Sequence, residues 1–283
     1  MTSPETPAPF PLTWLYAPGD RPRVVAKALT SGADIVIVDL EDAVAPDRKD
    51  YARAATADLL AEPEHPVPVH VRVNALGTPP AVKDLEALAA LPGLSGLRLP
   101  KVTSAEQVIH LAETTPPTAP GAPPLHALLE SALGIEHAHA IACAHPSLHG
   151  ISLGEADLRT DLGVRGDAGL DWSRSRVVVA ARAAGLPPPS QSIHPDIRDL
   201  EGLAASCAHG RTLGFLGRAA IHPRQLPVIE RAYLPTEAEL EQAETILKAA
   251  ATEHGAQALQ DGTFIDAAVV AAAQRTLSLA RRR

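Results

Sequence analysis

Eight short apolar segments, each followed by a stretch of helical period, run through almost the whole of this 283-residue chain. The segments are 13–17, 35–40, 69–74, 96–100, 125–130, 150–154, 190–194 and 217–222. Helical spacing is expected between them over 22–31, 48–60, 81–91, 104–111, 133–144, 173–184, 196–212 and 224–232. Such alternation favours parallel pairing, because a parallel neighbour is reached only through a crossover connection. Several strands, such as Ile35-Val36-Ile37-Val38, are apolar at every position, as strands covered on both faces must be. An open doubly wound sheet shows the same alternation, but the glycine-rich G-x-G-x-x-G turn that usually follows its first strand is missing. The count of eight therefore predicts an α/β fold, a (β/α)8 or TIM barrel with additional C-terminal helices.

The expected organisation is a disordered, Pro- and Thr-rich leader over 1–11, a barrel over 12–233, and a C-terminal helical extension over 234–283. The extension is surplus to a barrel, so it either packs outside or reaches a neighbouring subunit. Hydrophobic residues make up 46% of the chain and aromatics only 3%, so the core must be built from Ala, Val, Leu and Ile. A formal charge of -8 argues against a nucleic-acid binder. No apolar run approaches the ~20 residues that span a bilayer, and the leader has no signal-peptide pattern, so a soluble cytoplasmic chain is expected. Cys143 and Cys207 read as small buried side chains in a reducing compartment. Asp20 is expected to cap the first helix, Gly32 to end it, and Ser104 with Gln107 to form a capping box. Loops are expected over 114–124 and 161–171.

Acids and arginines collect at the C-terminal ends of the strands, where a barrel assembles its chemistry. Glu130 and Asp157 end neighbouring strands, and two converging carboxylates suit Mg2+, which keeps several waters for substrate oxygens to replace. The alternative makes Glu130 a helix-starting acid beside Ser131 and Asp157 the N-cap of the next helix. No His/Cys cluster has zinc spacing. Arg72 should point into the barrel mouth, either to hold a substrate carboxylate or to pair with Asp39 or Glu41. Asp39, Glu41 and Asp42 would repel one another without a cation; they either orient metal-bound waters or cap the next turn. Arg21 and Lys27 flank the first βα turn, for anion binding or for plain solvation. His194 and His222 read as structural.

These segments resemble the citrate lyase beta-subunit-like proteins of the HpcH/HpaI aldolase family, related to malyl-CoA and citramalyl-CoA lyases. The likeness rests on Tyr16-Ala17-Pro18-Gly19-Asp20-Arg21-Pro22, Val38-Asp39-Leu40-Glu41-Asp42, Val71-Arg72-Val73-Asn74 and Leu99-Pro100-Lys101-Val102. It continues through Leu129-Glu130-Ser131, Gly154-Glu155-Ala156-Asp157-Leu158 and Ala220-Ile221-His222-Pro223. The resemblance implies a TIM barrel, Mg2+, and cleavage or formation of a C–C bond that joins a 2-oxo acid, such as oxaloacetate, to an acyl-CoA thioester. It implies metal ligands in Glu130 and Asp157 and substrate contacts in Tyr16, Arg21, Lys27, Arg72 and Glu130. It makes Asp266, in Gly262-Thr263-Phe264-Ile265-Asp266, an acid/base donated to a neighbouring subunit of a homotrimer or a multiple of one. Two rivals stand beside it: a beta subunit acting on citryl-acyl carrier protein within a complex, and a non-catalytic metabolite-binding subunit. One departure is Glu155-Ala156-Asp157, where relatives often carry Ala-Glu-Asp, which puts a role for that Glu at the metal in doubt.

Overall fold

The computed structural model describes residues 10–114, 123–252, 257–258 and 264–280. Most of the expected leader, the centre of the 114–124 loop, Gly262, Thr263 and the three terminal arginines lie outside them. Strands β1 (Thr13–Pro18), β2 (Ile35–Asp39), β3 (Val69–Arg72), β4 (Leu94–Leu99), β5 (Leu125–Leu129), β6 (Leu148–Leu153) and β7 (Arg218–Ala220) form one sheet. Its order is β6-β5-β4-β3-β2-β1-β7, and every pairing is parallel. Helices α1 (Pro22–Ala28), α2 (Lys49–Leu60), α3 (Pro79–Leu88), α4 (Ala105–Thr114) and α5 (Ala132–Glu136) follow the earlier strands. Further along come α6 (Ala138–Ala142), α7 (Glu155–Asp161), α8 (Asp171–Ala183), α9 (Leu200–Leu213) and α10 (Leu226–Tyr233).

The seventh expected strand does not form as a strand. Over 190–194 only Gln191 makes a parallel bridge, to Arg218. Pro187, Pro188 and Pro189 precede it and Pro195 closes it, so no N–H at those positions can extend the pairing, while Gln191 itself donates to the Gly217 carbonyl and accepts from the Ala219 N–H. From the other side, the Glu155 N–H after β6 donates to Ser192 Oγ at 3.2 Å. The observed sheet is thus seven-stranded, and it is curled. Arg98 on β4 reaches to 5.9 Å from the Trp14 ring on β1, whereas three strand spacings on a flat sheet would separate their backbones by ~14 Å.

Alternation along each strand sends one set of side chains to the concave face. Trp14, Ile35 and Ile37 pack there with Tyr16. His70, the register partner of Ile37, lies with its ring against Gly96, and the His126 ring lies against Gly150, the two rings 4.9 Å apart. The opposite set, including Val36, Val38, Val71, Leu97 and Leu99, is almost wholly buried, each side chain contributing roughly 1.5–3 kcal/mol. Polar struts fix the loops above. Buried Asp84 of α3 accepts from the Asn74 N–H, from its amide and from Arg53 Nε of α2, at 2.9, 2.7 and 2.8 Å.

Local details depart from the expectations where a boundary moved by a residue or two. Arg21, not Asp20, is the N-cap of α1, because Pro22 already occupies its first position. Asp20 lies instead near Arg21 and Arg48. Gly32 is left-handed as expected, φ 86°. Gln107 turns back onto the Thr103 and Ser104 N–H groups, the reciprocal half of a capping box. Helix α7 begins two residues before Asp157, which therefore lies inside its first turn, and Gly154 is the N-cap. Cys143 is exposed, contrary to expectation, while Cys207 is buried.

The contacts divide the chain into two compact units, Leu12–Ala232 and a smaller one comprising Met1–Pro11 with Tyr233–Arg283. In the smaller unit, α11 (Glu237–Thr252) and α12 (Ala267–Ala280) pack around Ala243, Ile246, Ile265 and Ala273. Two short antiparallel strands, Gln257–Ala258 and Phe264–Ile265, complete it. No helix among the described residues is long and apolar enough to cross a membrane.

Candidate active site

The C-terminal ends of the strands, with the loops after β2 and β6 and the segment 190–193, surround a cavity of about 440 Å³. Tyr16, Asp39, Asp42, Arg72, Arg98, Glu130 and Asp157 line it. A second space of about 440 Å³, between Lys101, Ser131 and Thr160, shares Glu130 and Asp157 with the first. These two carboxylates therefore stand in the wall between two openings.

Asp39 organises one side. It is 1% exposed and grips Arg72 with both oxygens, Oδ1 accepting from Nε at 2.8 Å and Oδ2 from Nη2 at 2.6 Å. The same oxygens accept from the Glu41 and Ala43 N–H groups, which folds the loop after β2 over the pair. Arg72 Nη1 reaches Glu41 at 3.1 Å, and its Cζ lies 5.1 Å from the Tyr16 ring centre. Burial raises the Tyr16 hydroxyl pKa, with the nearby guanidinium opposing it. Arg72 thus makes the ion pair expected as its alternative while still facing the cavity.

The cations that hold Asp39, Glu41 and Asp42 together are protein groups. Beside Arg72 stands Lys101, whose Nζ lies 2.7 Å from Glu41, 3.6 Å from Asp42 and 3.8 Å from Asp157. The hydrogen bond to Glu41 raises the Lys101 pKa, so its ammonium persists. Even so, burial leaves Glu41 raised. Lys101 is also the one described non-glycine residue with positive φ, 56°, and this turn aims its N–H at Glu130 Oε2, 3.0 Å away. The motif Leu99-Pro100-Lys101 carried this residue, but a turn conformation is not visible in composition or period.

Glu130 is 5% exposed. Burial, then the charges of Glu41 and Asp157, push its carboxyl up to about 7, against the pull of Arg72 and Lys101. Its other oxygen lies over Gly154: a Cβ there would fall on Oε1, well inside contact. The backbone of Gly154 is ordinary, φ -101°, so space and not conformation demands the glycine. Gly154→Ala is expected to displace Glu130 and lower metal-dependent activity by about 10²-fold, the usual cost of a ~1 Å misplacement. Unchanged activity and unchanged metal titration in that variant would contradict this placement.

Among the described residues no cluster of three or more His, Cys, Asp or Glu side chains stands ready for a metal. A hard divalent ion of the Mg2+ kind needs only one or two carboxylates and completes its shell with water and substrate oxygens. Glu130, buried and short of positive charge, with Asp157 beside it and open space on both sides, fits that donor set. Glu155 does not join it: both its oxygens bind Arg174 of α8, at 2.9 and 2.7 Å, and Arg174 also binds Asp167 and Asp171. The acid displaced in Glu155-Ala156-Asp157 is therefore a strut.

Three other expected residues stand elsewhere. Arg21 and Lys27 are exposed on α1 and line neither space. Asp266 belongs to the smaller unit, where Oδ1 accepts from the Ala268 and Val269 N–H groups, both at 2.9 Å, and so caps α12.

Residues 12–223 match the family model described as HpcH/HpaI aldolase/citrate lyase, and 182–281 match one for C–C bond lyases of the TIM-barrel fold. A citrate lyase subunit beta-like protein of Mycobacterium tuberculosis is 38% identical over 272 residues, 93% of each chain. A (3S)-malyl-CoA thioesterase of Cereibacter sphaeroides is 36% identical over 273 residues, 94% of this chain and 93% of that one. The crystal structure of CitE from M. tuberculosis, in complex with magnesium, acetoacetate and coenzyme A, superposes with a TM-score of 0.82 at 37% identity. That match covers 97% of this chain and 99% of the other. The chain belongs to the HpcH/HpaI aldolase/citrate lyase family, a family of carbon–carbon lyases.

Proposed function

We propose that this protein is an Mg2+-dependent lyase that cleaves, or in reverse forms, a 3-hydroxyacyl-CoA thioester of the malyl, citramalyl or citryl type, giving a 2-oxo acid and an acyl thioester. The observation that carries it is the Glu130–Asp157 pair in the cavity wall, with the Arg72 guanidinium facing the same space. The CitE complex with magnesium, acetoacetate and coenzyme A supports it. Bound to Glu130 and Asp157, the ion would polarise the oxo oxygen and stabilise negative charge as it develops. Arg72, held rigid by Asp39, orients the carboxylate of the 2-oxo half, with Tyr16 beneath. The substrate hydroxyl loses its proton to a base and its oxygen becomes the new carbonyl. The electrons of the broken C–C bond leave as a thioester enolate, which is then protonated.

We assign the acid/base role to Asp266 of a neighbouring subunit in a homotrimer or a multiple of one, acting in the cytoplasm. The scaffold of this reading is a closed eight-stranded barrel, with the segment around Gln191 as its seventh stave. The M. tuberculosis and C. sphaeroides relatives are almost equally similar to this chain, which keeps thioester hydrolysis as a second reading.

The test is to incubate the purified protein with malyl-, citramalyl- and citryl-CoA, with Mg2+ or with chelator. Release of a 2-oxo acid without free thiol is expected; free thiol without a 2-oxo acid would replace lyase by thioesterase. Glu130 keeps its proton up to about 7, so the ion must displace that proton. The Mg2+ concentration for half-activation should therefore be flat above that pH and rise towards about tenfold per pH unit below it. A fully active monomer would rule out the donated Asp266.

A further inference from the structure

Arg98 is a buried cation with no acid partner among the described residues. It lies on β4, is 4% exposed, and lines the cavity. Arg53 is paired with Asp50 and Asp84 and Arg174 with three acids; Arg218, whose Nε is also buried without a partner, still donates through Nη1 to Gln191 and Ser206. Arg98 Nε is buried without a hydrogen bond, and the guanidinium makes no ion pair among the described residues. It faces the Trp14 ring and is flanked by His70 and His126. Burial, and then the charge of Arg98, hold both imidazoles well below their ordinary pKa, so neither adds a compensating charge. A guanidinium does not deprotonate in a protein. A charge taken out of water in this way is strongly unfavourable unless an anion meets it.

We propose that Arg98 is a specificity-determining residue that binds a second carboxylate on the 2-oxo half of the substrate. The protein then prefers acyl groups that cleave to a 2-oxo dicarboxylate over those that give pyruvate or glyoxylate. The assignment rests on the lyase reading above for the identity of the ligand. Arg98 and Arg72 are register partners on adjacent strands, so their backbones lie about 5 Å apart and both side chains rise from the same face of the sheet into one cavity. Arg72 has Nε and Nη2 committed to Asp39, whereas Arg98 Nε, in the same cavity, has no partner.

Calorimetry with Mg2+ present tests this on wild type and Arg98→Met, using oxaloacetate and pyruvate as probes. Wild type should bind oxaloacetate at least about tenfold more tightly than pyruvate, the size of one charge-assisted hydrogen bond; Arg98→Met should erase that ratio while pyruvate binding moves less than about threefold. The ligand-free variant should also melt higher, because an unpaired buried charge has gone. A ratio unchanged in Arg98→Met overturns the proposal. If the variant does not fold, wild type decides: equal binding of the two acids overturns the proposal, and a rise in melting temperature with succinate but not butyrate upholds it. Preference for oxaloacetate without cleavage of any thioester would overturn the lyase reading and leave the assignment of Arg98 standing. Cleavage without that preference would overturn Arg98 alone.

Discussion

Glu130→Gln is expected to abolish Mg2+-dependent cleavage, lowering kcat/KM by on the order of 10²–10³-fold, as loss of a group that serves developing charge usually does. The fold should survive. Glutamine is close in shape, and a carboxyl already pushed up to about 7 by burial gives up little when it becomes neutral. Without metal the variant should melt no lower than wild type, while the stabilisation that Mg2+ confers on wild type disappears. That stabilisation is about 2.7 kcal/mol when the ion is present at ~100 times its Kd. Asp157→Asn should behave alike, and its partial exposure predicts a stability change within about 0.5 kcal/mol. Full activity of both variants in chelator would remove these residues from any metal site.

The second large effect falls on stability. Asp39→Ala leaves the Arg72 guanidinium without its bidentate partner and frees two N–H groups of the following loop. Removing one side of a buried pair costs about 3–5 kcal/mol, and in a domain of this size that is a fall of on the order of 10 °C in Tm. Thermal denaturation followed by circular dichroism measures it. The double variant Asp39→Leu with Arg72→Met should recover part of the loss, because neither charge is then stranded. A fall of only about 2 °C in Asp39→Ala would mean that the pair is well solvated. Activity should vanish in both, since Arg72 is either displaced or gone.

Much of this architecture was legible because it is written in period. Apolar runs such as Ile35–Val38 and Leu125–Leu129 leave no choice but a strand buried on both faces, and the acids at their ends share one edge. What period does not carry was missed. Arg98 sits inside an otherwise apolar strand, yet Gly96 and Arg98 alternate with Leu97 and Leu99, which is the signal for an inward-facing cation. The segment at 190–194 has strand composition, but the prolines on both sides limit how far pairing can extend, and only Gln191 forms a bridge. The start of the short helix α7 is not legible in the sequence, because seven residues hold too few turns to show a period. Arg21 and Lys27 flank a helix start in the sequence, and in the structure both are exposed and line neither space.

Lys101 stores two kinds of information at one position. Its ammonium belongs to the side chain and can be lost by any substitution, with the acids Glu41 and Asp42 left less well compensated. The N–H that orients Glu130 belongs to the path of the chain and is present in every residue except proline. Glycine or asparagine, which tolerate a left-handed backbone, would preserve the pose of Glu130 while deleting the positive charge. Charge balance and ligand geometry at this mouth are therefore separately tunable, and sequences can drift at position 101 in one property without surrendering the other.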